Sequence, residues 1–151
     1  MKNKIFIIIL NYNNWKDTIL CIESVLKSDF KDLQLVIVDN NSPDDSMDYF
    51  IKWAKGSFFI TINESDKLKK LYYPLIQKPI SYFFYDLRKT KFENILKDNK
   101  INNSIVFIQT GYNGGFAYGN NIAIKYALSK DYCDYIWILN NDTVVKKDAL
   151  T

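Results

Sequence analysis

Histidine is absent from the 151 residues. No imidazole is therefore available as a general base or metal ligand, and such work falls to carboxylates, amides and other oxygen groups. Cysteine is scarce: Cys21 and Cys133 stand far apart, with no Cys-x-x-Cys pair, which excludes a disulfide framework. Both are expected as buried free thiols of a reducing cytosol. Excess charge is small as well. Twenty basic and 17 acidic side chains leave a formal +3, and the basic residues form no single stripe, which argues against a nucleic-acid partner. No apolar run approaches the length that spans a bilayer. "MKNKIFIIIL" imitates the start of a signal peptide, but its apolar run is short and leads into "NYNN" without a small-residue cleavage site. A cytosolic chain is expected. No internal repeat is visible.

What is present is a packed core. Hydrophobic residues make up 48% and aromatics 16%, at a length suited to one domain. Four segments are continuous apolar runs of the kind that form parallel strands buried on both faces: 4–10, 33–39, 104–109 and 135–140. Helical spacing separates them. Trp15, Ile19, Ile22, Val25 and Leu26 follow Asn14, a candidate N-cap. Met47, Phe50, Ile51 and Ala54 form a second apolar face, and Ile122, Ala123, Tyr126 and Ala127 a third. The alternation predicts an α/β fold, Rossmann-like, with a mostly parallel sheet and helices on both faces. Residues 56–103 break the rhythm. This insertion carries two prolines and many aromatics, with a short strand expected near 80–85 and a helix near 91–97. We expect it to pack over the sheet edge. Its interleaved Lys, Tyr and Phe would also suit a partner or a peripheral membrane contact.

In open parallel sheets, ligands bind outside the carboxyl ends of the strands. Each expected strand here ends in small polar residues: Asn11-Tyr12-Asn13, Asp39-Asn40-Asn41-Ser42, "TGYNGGFAYGNN", and Asn140-Asn141-Asp142. Strand-to-helix loops favour such residues for turning and capping alone, so any single cluster has a structural explanation. Four on one rim point to a site. Asp39 is suited to accept from the N–H of uracil or thymine, and Tyr12 to offer a stacking face. Gly114, Gly115 and Gly119 permit close backbone approach ahead of a helix N-terminus, where phosphate oxygens are favoured. Asp142 is a hard carboxylate suited to Mg²⁺ or Mn²⁺ bridging a nucleotide diphosphate, with Asn140 and Asn141 beside it.

In order and spacing, "IIILNYNN", "IVDNNS", "NGGFAYGNN" and "WILNNDTVV" resemble glycosyltransferase family 2, enzymes of the GT-A fold, and in particular its rhamnosyltransferase-like members. The resemblance implies an inverting transfer of sugar, rhamnose in the rhamnosyltransferase-like members, from a nucleotide-diphosphate sugar (uridine- or thymidine-linked) to a saccharide or lipid-linked acceptor in cell-surface polysaccharide synthesis. It implies that Asn11, Tyr12 and Asp39 hold base and ribose, that Asn41 is a further nucleotide-binding residue, and that Asn113, Asn120 and Asn121 line the donor loop. Asn140-Asn141-Asp142 would stand at the family's Asp-x-Asp metal motif, with an amide in place of the first acid. It further implies a general base beyond Thr151, in an acceptor half, so that residues 1–151 form a single partial GT-A domain with little activity alone. Asp44, Asp45 and Asp148 are expected to be turn, cap and helix-start residues. The alternative is a non-catalytic nucleotide-binding or assembly module, dimerising through an exposed sheet edge. A phosphoacceptor receiver would need an acidic pair, and a nucleotidyltransferase a basic Gly-rich loop, where this chain has "NYNN".

Overall fold

The computed structural model describes residues 4–99 and 105–151. Ser104 of the expected third strand and positions 100–103 of the insertion lie outside the described residues. Five parallel strands form one sheet in the order β3-β4-β2-β1-β5. They are β1 (Ile5–Asn11), β2 (Leu33–Asp39), β3 (Tyr82–Asp86), β4 (Ile105–Gln109) and β5 (Tyr135–Asn140). Between them run α1 (Trp15–Leu26), α2 (Ser46–Lys55), the short α3 (Lys69–Tyr72), α4 (Phe92–Lys97) and α5 (Phe116–Leu128).

Because side chains alternate across a strand, each strand feeds two cores. Ile7, Ile9, Leu35, Ile37, Ile105 and Phe107 pack with the buried faces of α1 and α2. Phe6, Ile8, Val36, Val38, Val106 and Ile108 pack with α5 and with Ile95 of α4. Helices thus cover both faces, as the apolar runs predicted. Trp53, which the α2 spacing did not single out, is also buried.

The insertion does more than pack on an edge: it makes one. Its strand β3 pairs with β4, and Ile60, Ile62, Leu75 and Ile80 join the α1/α2 core. A buried anion fixes this arrangement. Glu23 of α1 accepts from the Trp53 indole N–H at 2.9 Å and the Ile76 backbone N–H at 2.7 Å, and pairs with the Lys78 ammonium. The opposite edge departs from expectation. Strand β5 was expected to be buried, but among the described residues it has a strand neighbour only in β1, and Tyr135 and Ile138 are 57% and 44% exposed. Both faces are partly covered, Trp137 and Leu139 joining the α1/α2 core and Ile136 the α5 core; what stays open among the described residues is the strand's outer edge.

Smaller expectations divide. Asn14 stands at the N-cap of α1, but its side chain donates to Asp17 instead of accepting a helix N–H. Asp44 accepts from the Ser46 N–H, and Asp45 takes the left-handed conformation before α2, as turn residues do. Asp148 lies in a turn, its carbonyl accepting from the Thr151 N–H. Both cysteines are free thiols; Cys21 is buried, Cys133 only half-buried.

Candidate functional site

The register aligns the strand ends. Asn11 pairs with Asp39, Asp39 with Gln109, and Gln109 with Asp86, so one polar row crosses the sheet on the α1/α2 face. Leu10 pairs with Asn140 one position earlier, on the α5 face. Alternation therefore divides the expected rim into two cavities that meet at the end of β2.

The larger, of about 300 Å³, is lined by Leu10, Tyr12, Asn14, Asn40, Asn113, Gly115, Phe116, Asn120, Leu139, Asn140 and Asn141. Its polar wall is almost wholly amide, and no carboxylate lines it. Tyr12 and Phe116 flank it with exposed rings, Phe116 being 65% exposed at the first position of α5. Asn40 sits at its floor, 2% exposed. The Asn40 amide nitrogen donates to Asn113 Oδ1 at 2.9 Å and to the Gly115 carbonyl at 3.0 Å. Gly115, at φ 87°, takes a left-handed conformation that turns its carbonyl onto Asn40 and leads into α5. Asn120 donates to the Phe116 carbonyl at 3.0 Å. In both amides the nitrogen faces a backbone carbonyl, an acceptor only, so the other atom is the oxygen. Those two oxygens, Asn40 Oδ1 and Asn120 Oδ1, are buried and have no partner among the described residues. A buried acceptor left unmet is destabilising by about 1–3 kcal/mol.

The smaller cavity, of about 150 Å³, lies on the α2 side and is lined by Asp39, Asn41, Ser42, Asp45, Ser46, Met47, Asp48, Arg88 and Gln109. Asp39 is buried and already engaged: Oδ1 accepts from Asn11 Nδ2 at 2.8 Å and Ser42 Oγ at 2.6 Å, and Oδ2 from the Ser42 N–H at 3.1 Å. Arg88 forks onto Asp86 through Nε at 2.9 Å and Nη2 at 2.8 Å, holding that carboxyl below its ordinary range. Gln109 Oε1 is a third buried oxygen without a partner.

Of the residues expected at the site, Tyr12, Asn113, Asn120, Asn140 and Asn141 come together around the larger cavity. The others part from them. Asn11 is fully buried and serves the scaffold, bonded to Asp39, Ser42 and Thr18. Asp39 and Asn41 line the α2-side cavity, so Asp39 and Tyr12 do not share one pocket wall. Asn121 faces a separate cavity with Leu87, Phe92, Tyr118, Ile122 and Lys125, on another side of α5 from Asn120. Asp142 is exposed and lines a further cavity with Asp17, Asp66 and Tyr72. Asn40 is the member the strand-end reading passed over. Its signal was parity: one residue beyond Asp39 in an extended segment, it faces the other side of the sheet.

A hard divalent ion takes roughly six oxygen ligands. Among the described residues, no group of three or more His, Cys, Asp or Glu is placed to hold a metal. Asp142 offers one exposed carboxylate outside the amide-walled cavity, so the described residues do not by themselves make a complete ion site.

Residues 6–72, from β1 through α3, match the family model for Glycosyl transferase family 2. Among curated proteins, none matches the chain by sequence. The fold is that of the crystal structure of S. aureus TarS 1–349, with a TM-score of 0.54 at 16% identity over 95% of this chain. The chain spans 29% of that structure. The family resemblance read from the sequence is thus borne out over its first two motifs, and the GT-A-type α/β fold over nearly the whole chain.

Proposed function

We propose that this chain is the donor-binding part of an inverting glycosyltransferase that moves a sugar from a uridine- or thymidine-diphosphate sugar to an acceptor hydroxyl. The observation that carries this reading is the pair of adjoining cavities at the carboxyl ends of parallel strands, one walled by amides and flanked by aromatic rings. The base would enter the α2-side cavity, where Asp39 and Gln109 offer acceptors and Arg88 a donor. The sugar portion would lie in the larger cavity, against Tyr12 and Phe116. A rhamnosyl donor, a saccharide or lipid-linked acceptor and a cytoplasmic site at the inner membrane face belong to the same proposal.

Inversion requires the acceptor oxygen to attack the anomeric carbon from the face opposite the departing diphosphate, with its proton taken by a base. The wall of the larger cavity holds amides, a phenol and apolar groups. None of these is an effective base at neutral pH, so the base is proposed to come from another part of the enzyme. This chain's residues bind and orient the donor. A divalent ion, when present, would offset charge on the leaving diphosphate; no step here depends on it. Calorimetric titration with uridine and thymidine diphosphates, with and without Mn²⁺, tests the reading. Binding by either supports it, and failure of both at millimolar concentration refutes it. Loss of Mn²⁺ dependence in Asp142→Ala would assign the ion to that carboxylate.

The exposed β5 edge favours a second reading, an assembly module that pairs through that edge, as a homodimer or with another chain. Sedimentation over a range of concentrations separates the two, since a strict monomer removes the homodimer.

A further inference from the structure

We propose that Thr18 is a positioning residue: through its hydroxyl, the Asp39 carboxylate of the α2-side cavity sets the Asn141 amide in the wall of the larger one. This rests on the donor-binding reading and concerns a residue that lines neither cavity. Thr18 lies near the start of α1 and is fully buried.

Each hydrogen bond in the link has a fixed direction. The Asp39 carboxylate only accepts, so the Asn11 atom that meets its Oδ1 at 2.8 Å is the amide nitrogen. The Asn11 oxygen then faces α1, sealed from solvent, and the Thr18 hydroxyl at 2.7 Å is its one donor among the described residues. That hydroxyl has a single hydrogen. The Asn14 carbonyl, 2.9 Å away, already accepts from the Thr18 backbone N–H, whereas an unmet Asn11 oxygen would be costly, so the hydrogen belongs to Asn11. Thr18 Oγ1 is left to accept, and Asn141 Nδ2 donates to it at 3.1 Å. Donation therefore runs one way, from Asn141 through Thr18 and Asn11 to Asp39. Bonds aligned in this manner polarise one another.

Other ties join α1 to the same strand end. Cys21 Sγ lies 3.7 Å from the Asn140 carbonyl, and Ser24 Oγ accepts from the Val145 N–H at 3.1 Å. Neither continues to Asp39 among the described residues, so they hold the β5 end without joining it to the other cavity. The donor of the proposed reaction would span both cavities. The Thr18 link lets the contact made at Asp39 preset the wall at Asn141.

Two readouts on the intact chain test the link. The first is the side-chain amide signal of Asn141 in a heteronuclear magnetic-resonance spectrum, identified by its loss in Asn141→Ala. Asp39→Asn should shift that signal, although Asn11 and Thr18 stand between the two side chains. The shift should persist in Ser24→Ala and vanish in Thr18→Val. No shift in the wild-type background, or an equal one in Thr18→Val, overturns the proposal. The second readout is affinity for uridine and thymidine diphosphates, which needs no change at Asp39. Thr18→Val should weaken whichever binds roughly five- to tenfold, and Thr18→Ser, which keeps the hydroxyl, should stay within about twofold of wild type. Once Asn141 is replaced by Ala, Thr18→Val should weaken binding by less than about twofold more, because it acts through that amide. A Thr18→Val chain that loses stability but keeps wild-type affinity makes the residue merely structural, which overturns the proposal and leaves the donor-binding reading intact. Failure of both diphosphates to bind the wild-type chain overturns both.

Discussion

Asn11 Nδ2 donates to Asp39 Oδ1 across 2.8 Å between adjacent strands, with both side chains sealed from solvent. The bond is one link of a chain that crosses the carboxyl end of the sheet. Asn141 Nδ2 donates to Thr18 Oγ1 at 3.1 Å, and Thr18 Oγ1 lies 2.7 Å from Asn11 Oδ1. Asp39 then holds Ser42. Loops after β1, β2 and β5 are thereby set relative to one another through α1.

Replacing Asp39 by Asn would put an amide N–H₂ against groups that already donate. Stability should fall by about 1–3 kcal/mol, read as a lower urea midpoint at unchanged slope. A variant of full stability whose nucleotide affinity alone had dropped would show that Asp39 acts on the ligand and is dispensable to the scaffold.

Glu23 sets a larger effect. Removing one partner of a buried ion pair strands the other, and here Glu23→Ala would strand the Lys78 ammonium, the Trp53 indole N–H and the Ile76 N–H together. A loss of about 3–5 kcal/mol is expected, a large part of the net stability of a domain this size. Glu23→Gln keeps an acceptor for Trp53 and should lose less. Urea unfolding followed by tryptophan fluorescence measures both, and proteolysis should cut first within residues 73–81. An Ala variant as stable as wild type would show that the insertion is held by its apolar contacts alone.

The apolar runs were legible because burial on both faces leaves no alternation, and β1, β2 and β4 are such strands. Strand β5 reads the same but has one unpaired edge, since a run of apolar residues carries no record of what covers it. Strand β3 and α4 were expected in the insertion although its rhythm is broken, and they form at Tyr82–Asp86 and Phe92–Lys97. The Glu23 anchor was not legible, since it joins residues 30 and more positions apart in sequence. At the site, residue types were read correctly as polar strand ends, but as one rim. Parity separates them: Asn11 and Asp39 fall on the α1/α2 face, Leu10 and Asn140 on the other. Counting in twos from the core of each strand would have made that separation, and would have pointed to Asn40. Asn120 and Asn121 divide in the same way, because adjacent residues on a helix point about 100° apart.

The two thiols should differ in reactivity. Burial, and then the negative field of Asp142, push the Cys21 thiol up to about 12 from 9.0. Burial also raises Cys133, which is only half-buried. At pH 8 roughly one Cys21 in ten thousand would be thiolate, the reactive form, so an alkylating reagent should mark Cys133 first and Cys21 only on unfolding. The sign for stability follows. Above pH 9 the unfolded chain ionises its thiol while the folded one does not, so this contribution is full below 9 and lost as pH rises towards 12. Mass-spectrometric mapping of timed alkylation checks the order, and equal labelling of both would show that the β5 end opens readily.

Gly119 places α5 against the site. A Cβ there would stand 2.4 Å from Leu10 Cδ1, so the helix approaches β1 more closely than any other residue would allow. Leu10 lines the larger cavity, and Gly119 lies one residue before Asn120. Gly119→Ala must push the Leu10 side chain towards the cavity or lift the helix. Overpacking of this kind costs about 1–3 kcal/mol, and a flexible side-chain end puts it towards the lower part of that range. Donor affinity should fall as well, because both movements alter the same wall. Leu10→Ala makes room for the new methyl, so the double variant should recover part of the stability lost by Gly119→Ala, a coupling that a double-mutant cycle measures directly. Strictly additive losses would mean that the helix shifts as a body, and the amides at its start would then move with it.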